Sequence, residues 1–102
     1  MAELPKACSL TPEEGAGRAA EFRALAKRSL RTRERSEGEV VLSFAPGPGT
    51  LDQVEDLARR ERECCPFLDL AVSASERGVT LAIAAAPADR AALDAFYELA
   101  GG

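Results

Sequence analysis

The 102-residue chain has no histidine, no tryptophan, one tyrosine, one methionine and three cysteines. Without histidine there is no imidazole general base, no imidazole metal ligand, and no Ser-His or Cys-His nucleophile pair. Any chemistry falls to thiols, carboxylates and cations. No run of sequence approaches the ~18 to 20 apolar residues of a membrane helix, which excludes a helical span and a membrane partner. Met1–Lys6 lacks the basic, apolar and small-residue succession of a secretory leader, so a cytoplasmic location is expected. Aromatic residues make up 5% of the chain and the net charge is −4. Both argue against a nucleic-acid partner, whose phosphates call for clustered positive charge.

What is present is the composition of a globular domain: 46% hydrophobic and 29% charged residues, at a length that closes one core without obligatory staples. The expectation is a single domain over residues 1–102, with 1–9 a flexible N-terminal segment. Thr11-Pro12-Glu13-Glu14 reads as a capping box with proline at the first helical position. Ala19, Phe22, Leu25, Ala26 and Leu30 then recur at helical spacing, with the helix ending near Arg28. Around the turn-like Ser36-Glu37-Gly38 the period becomes two. Val40, Leu42 and Phe44 share one strand face, while Leu30–Arg35 alternates arginines with residues only partly suited to burial.

Pro46-Gly47-Pro48-Gly49 stops that strand, and Thr50-Leu51-Asp52-Gln53 suggests a second capping box. Leu51, Val54, Leu57 and Ala58 begin a stripe that runs to Cys64 and Cys65, where Pro66 ends the helix. Leu68, Leu70, Val72 and Ala74 face one way on a third strand. After Ser75–Gly78 the same is true of Val79, Leu81, Ile83 and Ala85. Pro87 and Asp89 introduce a last helix with Ala92, Leu93, Phe96 and Ala100 on its apolar side. The reading is an α+β fold in the order α-ββ-α-ββ-α, an antiparallel four-stranded sheet covered by helices on one face.

Short connections reverse direction, so the start of the first helix and the end of the second should share one edge. That brings Cys8, Cys64 and Cys65 to a common rim, with the Ser36–Gly38 turn, Phe67 and Asp89. The C-terminal end of a helix raises the cost of a thiolate, which Arg59, Arg60 and Arg62 would offset in part. A soft ion would offset more, because coordination deprotonates a thiol. Three sulfurs without imidazole suit Hg(II), As(III) or Cu(I), or Zn(II) completed by a carboxylate or water. Glu61, Glu63 and Asp69 are the carboxylates that stand near them. Against this, unpaired cysteines are also ordinary small core residues.

Glu61-x-Glu63-Cys64-Cys65-Pro66-Phe67-Leu68, preceded far upstream by Cys8-Ser9-Leu10-Thr11-Pro12-Glu13-Glu14, resembles a family of small, mostly uncharacterised bacterial proteins. They carry an E-C-C-P-F-L signature, and some are associated with metal- or mercury-responsive regulators. The resemblance implies a functional role for Cys8, Cys64 and Cys65.

Two functional classes follow. One is a protein that sequesters or hands over a soft metal or metalloid ion, with Cys8, Cys64 and Cys65 as ligands and Glu61, Glu63 and Asp69 around them. The other is a thiol enzyme, redox or lyase-like, in which Cys64, Cys65 and Cys8 are the catalytic residues. A Cys8 bridge to one of the pair is more relaxed there than the eight-membered ring of a vicinal disulfide. A third reading is a non-catalytic structural or regulatory module, homodimeric, whose cysteines only pack. The basic run Arg23, Lys27, Arg28, Arg31, Arg33 and Arg35 reads as a solvated face. Phe96 and Tyr97 are adjacent, so one is expected in the core and the other at a rim or subunit contact.

Overall fold

The computed structural model describes residues 12–101, except the side chains of residues 12–16 and 64. Cys8 and the Thr11–Glu14 capping box thus lie outside what is described, as do residues 1–9. The elements are α1 (Pro12–Ser29), β1 (Leu30–Ser36), β2 (Glu39–Phe44), α2 (Thr50–Cys64), β3 (Asp69–Ser75) and β4 (Gly78–Ala84). A 3-10 turn (Pro87–Asp89) then leads into α3 (Arg90–Ala100). This is the α-ββ-α-ββ-α order, and the fold is α+β. The four strands form one antiparallel sheet in the order β1-β2-β4-β3.

Register decides which face is buried. Val40, Leu42 and Phe44 lie opposite Ile83, Leu81 and Val79, so period-two alternation turns all six to the same side. The three helices bury that side with Phe22, Leu25, Val54, Leu57 and Leu93. The opposite face of the sheet carries no helix among the described residues. None of the described helices is long and apolar enough to cross a membrane.

Three local outcomes differ from the reading of the sequence or refine it. The Thr50–Gln53 capping box does not form. Gly49 holds the N-cap position with φ 78° and no side chain caps the helix. Thr50 is already helical and buried, and the Gln53 amide donates to the Gly49 carbonyl at 2.9 Å. Because the helix starts with Thr50 facing the core, Leu51 turns outward and is 36% exposed. It does not belong to the buried stripe. β1 is a genuine strand whose inward positions are Arg33 and Arg35, set opposite Leu42 and Val40. They sit at the edge of the sheet under α3. Arg33 donates to the Tyr97 carbonyl at 2.6 Å with its guanidinium 4.0 Å from that ring's centroid, and Arg35 pairs with Asp94 at 3.0 Å.

α1 and α2 run antiparallel, as three side-chain bridges show: Arg18 to Glu61, Glu21 to Arg60, and Arg28 to Gln53. The start of α1 therefore lies beside the end of α2. The Ala85 amide donates to the Gly38 carbonyl at 3.1 Å, and Glu39 and Asp69 both pair with Ala84. The β1–β2 turn, the entry to β3 and the exit of β4 thus occupy the same end of the molecule. The shared edge expected from short connections is present.

Candidate functional site

The C-terminus of α2 builds the site. Pro66 cannot donate a helical hydrogen bond, so the helix closes on Cys65, which has left helical geometry at φ −128°, ψ 74°. Its amide still donates to the Glu61 carbonyl at 2.6 Å, and its own carbonyl accepts from the Leu68 amide at 3.0 Å. Leu68 is buried and Phe67 packs against the core, which fixes the turn from below. The result holds Cys65 at 4% exposure. Its sulfur is disulfide-bonded. Cys8 and the side chain of Cys64 fall outside the described residues.

Glu61 stands one turn before Cys65 and reaches in two directions. Its Oε1 lies 3.8 Å from the Cys65 sulfur, while Oε2 accepts from Arg18 of α1 at 2.9 Å. The side chains of Arg18 and Glu61 are only 16% and 14% exposed, so this pair is screened less than a surface pair. A disulfide sulfur has no proton, so the 3.8 Å approach is a contact here. After reduction the same geometry lets the thiol donate to Glu61. Beneath the pair is an apolar cavity of about 10 Å³ between Phe22, Leu57, Leu70 and Phe96, room for no more than about one water.

The three arginines expected to ease a thiolate are engaged elsewhere. Arg59 binds Asp56 at 2.5 Å and Glu63 at 3.2 Å. Arg60 makes a two-pronged bond with Glu21, at 3.0 and 2.6 Å, and a 2.8 Å contact with Asp56. Arg62 donates to the Leu70 carbonyl at 3.0 Å. That bond covers part of the β3 edge. The hydrogen bond to Glu21 is the main reason the Arg60 guanidinium holds its proton more tightly than usual, with burial acting against it. The Asp56 carboxyl is held below its ordinary range chiefly by the bond from Arg59.

The cation that binds the carboxylate beside the sulfur is Arg18, from α1. It lies 43 residues from Glu61 in sequence, and no local pattern announces such a pair. Glu63 points into solvent toward Arg59, and Asp69 is exposed at the start of β3. Of the three carboxylates, Glu61 alone has a described contact with a cysteine sulfur. Among the described residues no group of three Cys, Asp or Glu side chains is gathered as for a metal ion. The basic run is mostly structural: Arg28 binds Gln53, Arg31 donates to the Arg77 carbonyl, and Arg33 and Arg35 hold α3.

No family model, curated protein or solved structure matches this chain.

Proposed function

We propose that the protein is a small thiol-site protein whose reduced form binds one soft metal or metalloid ion through Cys65 together with Cys8 and Cys64. The observation that supports this reading is the disulfide-bonded sulfur of Cys65 at the rim where α1 begins and α2 ends. A bonded sulfur has a second sulfur within reach, which is also what a shared thiophilic ion needs. Sulfur donors without imidazole favour Hg(II), As(III) or Cu(I) over harder ions, with Zn(II) a weaker fit. Glu61 stands beside the sulfur as an outer carboxylate, oriented by Arg18.

Titration of the reduced protein with Hg(II) in excess glutathione tests the proposal, followed by sulfur-to-metal charge-transfer absorbance and native mass. One ion retained per chain, with sharply weaker retention after Cys8→Ser, Cys64→Ser or Cys65→Ser, is the expected result. Failure to hold the ion against glutathione, or equal affinity in all three variants, overturns it. The disulfide also favours a second reading, a thiol redox catalyst. In that case the reduced protein should turn over a small disulfide substrate faster than free cysteine does. The burial of Cys65 opposes direct attack on its sulfur from solvent.

A further inference from the structure

We infer that the helix-free face of the sheet is a self-association surface, on which a second copy of the chain packs face to face in a weak two-fold dimer. Register lays this face out in three cross-strand rows. The middle row is Glu34, Val41, Ala82 and Ala71. On one side of it stand Glu39, Ala84 and Asp69, and on the other Thr32, Ser43, Thr80 and Ser73. A solvated sheet face ordinarily alternates charged and long polar side chains outward. Here the two central strands present Val41, Ala82 and Ala84 with the short hydroxyls Ser43 and Thr80, and Glu39 is their one charge. Short side chains on such a face let another sheet approach closely.

The charges choose the arrangement. Glu39 and Asp69 are confined to one end of the strands, and the other end carries the hydroxyls together with the Arg31 guanidinium, which is bonded to the Arg77 carbonyl beside Gly78. A two-fold axis parallel to the strands would stack acid on acid. An axis across the strands, along the middle row, instead sets Glu39 and Asp69 over the hydroxyls of Ser43 and Ser73 in the second copy. Hydroxyls donate well to carboxylates. Val41, Ala82 and Ala71 then meet their own counterparts on the axis. Glu34 also meets its counterpart, but at the β1 edge, where solvent screens the repulsion.

Size sets the strength. Four strands about 4.8 Å apart, each about seven residues long, give roughly 450 Å² of flat area per copy. Two copies together bury on the order of 1,000 Å², the lower bound for a specific interface. An interface of that size belongs to the weak, reversible class. This inference uses no residue of the thiol site and stands or falls separately from it.

Sedimentation of the full chain over about 5 to 500 μM tests it, with a phosphine reductant present so that no intermolecular disulfide contributes. The expected result is a concentration-dependent shift from monomer to dimer. Ala82→Glu buries an unpaired charge at the axis and should weaken association at least about tenfold. Ala71→Arg, on the exposed edge strand, is a second disrupting variant that leaves the core untouched. Glu34→Gln removes the repulsive pair and should tighten the dimer. A wild-type chain that stays monomeric throughout, or a dimer that neither disrupting variant weakens, overturns the inference.

Discussion

At Gly78 the backbone holds φ 142°, and a Cβ at that position would collide with the Phe44 carbonyl oxygen. β4 begins at this point, and Phe44 is fully buried on the neighbouring strand, so neither backbone can yield cheaply. Gly17 is the opposite case. It lies within α1, on the exposed side, where an added methyl group would have nothing within 4 Å. Alanine at Gly78 should cost roughly 2 to 4 kcal/mol, through strain and the clash together. The same change at Gly17 should stabilise by roughly 0.5 to 1 kcal/mol, because alanine restricts the unfolded chain and favours helix. Urea unfolding of the two variants checks both signs. Glycine in a sequence pattern says only that a turn or a weak helix position is present, so the contrast between the two is visible only in the fold. The same limit applies at Cys65: its position at the end of α2 is legible from Pro66, whereas the Arg18 to Glu61 bridge beside it is not.

At the scale of elements, α1 meets α2 through long side chains. Arg60 is the centre, bonded to Glu21 across the helices and to Asp56 within its own. Asp56 also accepts from Arg59, and these cations hold its carboxyl below the ordinary value of 3.8. A depressed folded value means that the contribution of Asp56 is complete above the unfolded value and is lost as pH falls through the folded one. Asp56→Asn should therefore lower stability near neutral pH, and the difference from wild type should shrink toward nothing as pH falls from neutral to well below about 4. Unfolding measured at both ends of that window checks the sign. A difference that persisted in acid would mean that the carboxylate's charge is not what matters.

The element order is legible because the period switches from helical spacing to two at Leu30 and back at Thr50, the second switch marked by Pro46–Gly49. β1 is harder to read because its inward residues are Arg33 and Arg35. They are held as partners of Tyr97 and Asp94 in α3, which a hydrophobic pattern does not register. The cap of α2 misleads, since Thr50 and Gln53 match a local motif while Gly49, one position earlier, takes the turn. Convergence of the α1 start and α2 end follows from connection length alone. The partners within that edge do not, because ion pairs between distant helices leave no periodic trace.

For the molecule as a whole, one continuous core joins all three helices to the inner face of the sheet. A single core of this size should unfold as one unit. The chain reports on itself here, since Tyr97 is its only tyrosine and there is no tryptophan. Tyr97 lies in α3 against the Arg33 guanidinium of β1. Its emission therefore follows the junction of the last helix with the first strand, whereas far-ultraviolet circular dichroism follows all the helices. The two signals should give coincident urea transitions. Leu93 is fully buried in α3, and Leu93→Ala should cost roughly 3 to 5 kcal/mol, a large share of the ~5 to 15 kcal/mol that holds a domain of this size together. If the core is one unit, that substitution moves both signals by the same amount. If Tyr97 were released while the helical signal kept its wild-type midpoint, α3 would be a separately melting element, and the folding unit would be the sheet with α1 and α2 alone.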